Sequence, residues 1–93
     1  MAAKYSGLMI DVGFGNVFPV DRILGIVAYD SDPMRRHCDG LEKEHKVIDA
    51  TRGRKVKSVL ILDSSHVVLS PIARETLAER FQNSRQASEA KMV

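Results

Sequence analysis

Val59-Leu60-Ile61-Leu62-Asp63-Ser64-Ser65-His66-Val67-Val68-Leu69 is the stretch that decides the fold. Two apolar runs of strand length flank a polar turn, the pattern of a β-hairpin inside a buried sheet. Upstream of it, Ile48-Asp49-Ala50-Thr51-Arg52-Gly53-Arg54-Lys55-Val56-Lys57 places four cations within six residues, with a glycine among them. A basic turn held by the strand it leads into presents its cations from fixed backbone positions, which suits a polyanion better than a packed core. Strands are therefore predicted over Val47 to Ala50, Val56 to Leu62 and His66 to Leu69.

Working towards the N-terminus, Asp30-Ser31-Asp32-Pro33 reads as a helix start, with Asp32 as the cap and Pro33 preset for the first helical position. Met34, Cys38, Leu41 and His45 recur at spacings of four, three and four, so the helix is expected to bury that face and to end near His45. Before it, Ile23 to Tyr29 is an almost continuous apolar run, as expected for a central strand covered on both faces. Leu8 to Val12 is a further short strand, closed by Gly13-Phe14-Gly15-Asn16, whose residues suit positive φ in a turn. Val17 and Phe18 begin the next element and Pro19 interrupts regular pairing. Towards the C-terminus, Ser70-Pro71 is read as the start of a second helix, with Ala73, Leu77 and Phe81 on its buried stripe beside Ile72. Residues 83–93 are polar and expected to fray.

The fold predicted is α+β, a small mainly antiparallel sheet with two helices, with residues 1–82 as a single domain. The 93 residues, 44% hydrophobic and 28% charged, suit a soluble globular chain. A chain this short buries a modest fraction of its surface, and self-association would complete the burial. The net charge of +2 decides little, but its distribution is uneven. Eight Lys or Arg against four acids lie between Met34 and Lys57, whereas Met1 to Pro33 has two basic residues and four acids. One cysteine, Cys38, excludes an internal disulfide framework and fits a reducing compartment. No apolar run is long enough for a membrane-spanning helix and the start lacks a secretory signal's apolar stretch, so the expected location is the cytoplasm.

The patterns that suggest catalysis or metal binding each have a simpler structural reading. Gly13-Phe14-Gly15 is followed by Phe18 and Pro19 where a dinucleotide-binding helix would begin. Asp63, Ser64, Ser65 and His66 are consecutive, whereas a hydrolase triad converges from separate elements. Neighbours His37 and Cys38 point to different sides of a helix, which with His45 leaves too few ligands for a structural zinc. Asp49 and Thr51 lack the second acidic partner that metal-assisted hydrolysis needs. No enzymatic activity, cofactor or metal is expected.

Four separated segments change the weight of the basic turn. Asp11-Val12-Gly13-Phe14-Gly15-Asn16-Val17, Asp21-Arg22-Ile23, Ile48-Asp49-Ala50-Thr51-x-Gly53-Arg54-Lys55 and Asp63-Ser64-x-His66-Val67-x-Leu69-Ser70 stand in the order and at the spacing of one family. From about Leu8 to Phe81 the chain resembles the RemA family of bacterial extracellular-matrix regulatory proteins. That resemblance implies a DNA-binding activator of biofilm-matrix and related genes, assembled into a closed ring of about seven or eight subunits. It further implies that Arg22, Arg54 and Lys55 contact DNA. Lys55 stands where the family usually has arginine; it keeps the charge but lacks the planar fork.

The residues themselves add Arg52 and Lys57 as flanking contacts, and Arg35 and Arg36 as an extension of the basic face. The last two are positive charges near a helix N-terminus, so a partner rather than the helix accounts for them. Duplex DNA is preferred to RNA because the chain is poor in aromatic platforms for single strands. Two further classes are an interaction ring whose basic face binds an acidic protein, and a small-ligand enzyme or sensor using the glycine turn near Arg22 and Asp49.

Overall fold

The computed structural model describes residues 8–91, with side chains as far as Ser84. Its elements run β1 (Met9–Asp11), β2 (Val17–Pro19), a 3-10 turn (Val20–Arg22), β3 (Ile23–Ala28), α1 (Asp32–Lys43), β4 (Val47–Asp49), β5 (Ser58–Leu62), β6 (Val67–Ser70) and α2 (Arg74–Lys91). The fold is α+β with two helices, as expected. Its strands form a two-stranded ribbon, β1-β2, and a four-stranded sheet in the order β3-β5-β6-β4. The pairing is mainly antiparallel, as expected, with one exception that makes the larger sheet mixed: β4 runs parallel to β6.

The predicted hairpin is its centre. β5 and β6 pair antiparallel from Ser58↔Ser70 to Ile61↔Val67, and Leu62 N–H bonds to the His66 carbonyl at 2.9 Å across the turn. Strand alternation then sorts the side chains into two cores. Val59, Ile61, Val67 and Leu69 face α1, where they pack with Cys38, Met34 and Leu41. Leu60, Leu62 and Val68 face the other way, against Ile10, Val12, Val20, Ala50 and Leu77. The molecule thus has three layers: α1, the sheet, and the β1-β2 ribbon with α2.

Two buried hydroxyls tie the third layer to the sheet. Ser70 Oγ donates to the Val12 carbonyl at 2.6 Å and accepts from Ile72 N–H at 3.1 Å, while Ser58 Oγ donates to the Ile72 carbonyl at 2.6 Å. Arg80 adds a link from α2, donating to the Asp11 carbonyl at 2.8 Å.

Four expectations are corrected. Ile23–Ala28 is an edge strand, not a central one. A bulge between Ile23 and Gly25 lets Ile23 and Ile26 share the α2-side core and turns Leu24 outward, where it is 71% exposed. The cap of α1 is Ser31, whose Oγ accepts from Met34 N–H at 3.3 Å, and Asp32 already lies in the first turn. His45 leaves the helical face, because Lys43 ends α1 and His45 sits exposed at φ +61°. Ser70-Pro71 does not open α2; Ser70 belongs to β6, and the helix begins at Arg74.

Leu77 and Phe81 do lie on the buried stripe of α2. The helical backbone continues past Gln82 to Lys91, so it includes most of the segment expected to fray. The first seven residues of the predicted domain and the last two of the tail lie outside the described residues. No described helix is long and apolar enough to cross a membrane.

Candidate nucleic-acid interface

The basic turn is shaped by one carboxylate. Asp49 Oδ1 accepts from Thr51 N–H at 2.8 Å and from Thr51 Oγ1 at 2.6 Å, and Arg54 N–H closes the turn on the Thr51 carbonyl at 3.0 Å. Thr51 is 2% exposed, so this pivot is anchored inside the protein while the cations beyond it remain in water. Arg52 and Gly53 follow in left-handed backbone, at φ +52° and +84°, which reverses the chain and sends it back to β5. Arg52, Arg54, Lys55 and Lys57 are all exposed.

A second turn faces the first. Gly13 N–H donates to Asp11 Oδ1 at 2.8 Å, and Asn16 Nδ2 donates to the Gly13 carbonyl at 2.8 Å. Gly13 itself, at φ +130°, is pressed against Pro71; a Cβ there would lie 2.9 Å from Pro71 Cδ. Only glycine permits so close an approach. The contact brings the Phe14 ring beside the basic turn, with the Arg52 and Arg54 guanidinium carbons 5.3 Å and 5.9 Å from its centroid. Phe14, Arg54, Lys55, Lys57 and Pro71 line an open cavity of about 270 Å³.

The start of α1 lies at the same end of the sheet, because Tyr29 N–H donates to the Lys57 carbonyl at 3.2 Å. Arg35 has local partners that the sequence did not suggest: the Asp32 carboxylate at 3.7 Å and the Tyr29 ring, 5.8 Å away. Arg36 is exposed on the same helix.

Arg22 lies elsewhere. It precedes Ile23, which pairs with Leu62, whereas the basic turn leads into Ser58 at the opposite end of β5. The two ends of β5 lie about 14 Å apart, four residue steps along the strand. Its guanidinium bonds Asp63 at 2.9 Å, and its carbonyl accepts from Asp63 N–H at 3.0 Å. A single subunit therefore gathers Arg52, Arg54, Lys55 and Lys57 in one place, with Arg35 and Arg36 on a helix that starts at the same sheet end, and leaves Arg22 apart.

Sequence reading missed Phe14 and Pro71, having taken Gly13-Phe14-Gly15 only as a turn. The available signal was a phenylalanine between two glycines, where an apolar core residue is seldom placed.

The other candidate groups stay dispersed. Ser64 Oγ and His66 Nδ1 lie 2.9 Å apart within the hairpin turn, as a local hydrogen bond. His37 and His45 are exposed and Cys38 is buried; burial first, and then the charge of Asp39, push the Cys38 thiol up and away from the reactive thiolate.

The two hydrogen bonds from Thr51 lower the Asp49 pKa, since both favour the charged carboxylate, outweighing a small opposing effect of burial. The clamp's contribution is therefore complete above the ordinary carboxylate value of about 3.9 and is lost as pH falls from there through the lower folded value. Asp49→Ala should cost about 1–3 kcal/mol by leaving the Thr51 donors unpaired, read as a lowered unfolding midpoint. On a DNA-binding reading of this surface it should also weaken retention, although removing an acid makes the surface more positive. Tighter retention would show that charge, and not turn geometry, governs the surface.

Sequence comparison agrees with these motifs. A relative from Pseudothermotoga lettingae is 49% identical over 76 residues, 82% of this chain and 84% of its own length. One from Thermotoga maritima is 49% identical over 73 residues, 78% of this chain and 79% of its own. A third, from Thermosipho africanus, is 49% identical over 76 residues, covering 82% and 81%. Each carries the provisional name of a regulatory protein. The sequence pattern of the RemA-like family, described as extracellular matrix regulatory protein A-like, matches residues 9–81. The chain belongs to the RemA-like family.

Proposed function

We propose that this protein is a DNA-binding regulator of transcription, acting on matrix-type genes, that grips duplex DNA through the basic turn repeated around a homo-oligomeric ring. One observation carries the reading. Arg52, Arg54, Lys55 and Lys57 are exposed together, and among the described residues none of the four is ion-paired to a carboxylate. Four uncompensated cations on a rigid turn amount to a phosphate-binding surface, and a solvated structural role would leave no reason to hold the turn so firmly.

Self-assembly is supported by what the subunit leaves open. Among the described strands, none covers the outer edge of β3 or of β4. Leu24 is 71% exposed on the first and Ile48 38% on the second. Beside β3, Ile23, Leu24, Ile26, Ala78 and Phe81 help to line an apolar cavity of about 270 Å³. Two unlike edges on one sheet invite a head-to-tail contact, which closes into a ring when its rotation permits. A ring also gives Arg22 a role, because a neighbour's basic turn can extend the surface that one subunit leaves divided. Repetition converts a few phosphate contacts per subunit into useful affinity.

Sedimentation velocity of the full chain, with and without a linear mixed-sequence duplex at low and moderate salt, tests the reading. The expected result is a closed oligomer that co-sediments with DNA and releases it as salt rises, log affinity falling by about 0.9 per phosphate contacted for each unit of log salt. An oligomer that ignores DNA at every salt would overturn it in favour of an acidic protein partner. A monomer that ignores DNA would remove both.

A further inference from the structure

Phe14 is out of place on a surface organised around charge. Its ring is 47% exposed and belongs to neither core cluster. Its backbone lies at φ +53°, a region in which a bulky side chain is strained. The turn that displays it is nevertheless fixed. Gly13 is pressed onto Pro71, the Asn16 carbonyl accepts from Val12 N–H at 2.8 Å, and Asn16 N–H donates to the Gly13 carbonyl at 2.9 Å. A strained, rigid turn that holds a phenyl ring in water is a feature of recognition rather than of packing.

The surroundings of the ring say what it would recognise. Phe14 and Pro71 are the apolar wall of the 270 Å³ cavity, and Arg54, Lys55 and Lys57 are its cationic wall. An apolar patch beside clustered cations matches the two halves of a nucleotide, the sugar or base and the phosphate that flanks it. We propose that Phe14 is a direct nucleic-acid contact, packing against deoxyribose or a base edge while the neighbouring cations hold the adjoining phosphates. The proposal rests on the DNA-binding reading above and adds a contact that carries no charge. Apolar side chains are used in this way by architectural proteins that press on base steps from the minor groove.

An uncharged contact leaves a signature that a cation does not. The slope of log affinity against log salt counts displaced counterions, and a phenyl ring displaces none. Phe14→Asn removes the ring and installs a residue that tolerates left-handed backbone, so folding should not suffer. Phe14→Tyr keeps the ring. Binding of both variants to a linear duplex should be titrated over a salt series beside the wild type, with the mass and unfolding midpoint of the free protein measured in parallel.

The expected result for Phe14→Asn is affinity reduced by at least about fivefold at every salt, with unchanged slope, unchanged assembly mass and an unfolding midpoint no lower than wild type. Phe14→Tyr should bind as wild type does. Unchanged affinity of Phe14→Asn would overturn the proposal, because the ring would then touch nothing. A shallower slope would overturn it too, showing that Phe14 acts only by placing Arg52 and Arg54. An altered mass would assign the ring to a subunit contact instead. Wild-type protein that fails to bind duplex at any salt is a separate result, which removes the DNA-binding reading itself.

Discussion

Replacing Arg54 and Lys55 together by alanine is expected to abolish the proposed retention of duplex DNA at physiological salt and to leave the mass and unfolding midpoint of the protein unchanged. Both side chains are exposed, and neither is ion-paired among the described residues. Their removal leaves no buried charge or unmet donor, so the change in stability should stay within about 0.5 kcal/mol. In the proposed ring the effect on DNA would be multiplied by repetition. Taking two phosphate-binding cations from each engaged subunit lowers the slope of log affinity against log salt by roughly 1.8 per subunit. A mobility shift unchanged in the double variant would sink the assignment of the basic turn as the interface.

Arg22→Ala makes an informative contrast. The family resemblance expects the same loss of binding, yet Arg22 is held by Asp63 at the far end of β5. Loss of binding in Arg22→Ala without loss of assembly would mean that DNA spans both ends of the sheet. Retained binding would confine the interface to the turn-bearing end.

The elements that local pattern specifies were legible in the chain. The β5-β6 hairpin follows from two apolar runs around Asp63-Ser64-Ser65, and the basic turn follows from four cations before a strand. The edge position of β3 was not legible. Its apolar run does touch both cores, through Ile26 on one side and Val27 on the other, so composition alone resembles that of a central strand. Which strand lies outermost is decided by pairing partners far along the chain. The parallel pairing of β4 with β6 has the same origin.

The interface divides along the same line. Its charges are visible in sequence, whereas the Gly13–Pro71 contact that sets Phe14 beside them joins residues from opposite parts of the chain. Ser70-Pro71 shows how a correct local signal can be misassigned. Serine before proline suits a helix start, but here the hydroxyl serves the Val12 carbonyl and Ile72 N–H across the layers. The tertiary bonds took the residue that the helix signal claimed.

Leu77→Ala is expected to destabilise the protein by about 2–5 kcal/mol, the range for truncating a fully buried leucine to alanine. Leu77 is 0% exposed and packs in the core with Ile10, Val12, Leu60 and Val68. It is the one fully buried residue of α2 among those with described side chains. The rest of that helix is mostly polar, so a single leucine supplies much of what docks it. Domains of this size have about 0.05–0.15 kcal/mol of stability per residue, so the loss is a large share of the whole. The unfolding midpoint should fall by about 10 °C or more. It should be measured over a range of protein concentrations, since assembly would raise the midpoint by mass action. The consequence reaches past stability, because Phe81 on the same helix forms part of the apolar cavity beside β3. Loosening α2 should therefore weaken assembly before it weakens the basic turn, which is built by Asp49, Thr51 and β5. A variant that loses mass in sedimentation, with its isolated subunits still held weakly by DNA at low salt, would place assembly and DNA contact on separate parts of the fold. An unchanged midpoint would mean that α2 is not held by its apolar stripe.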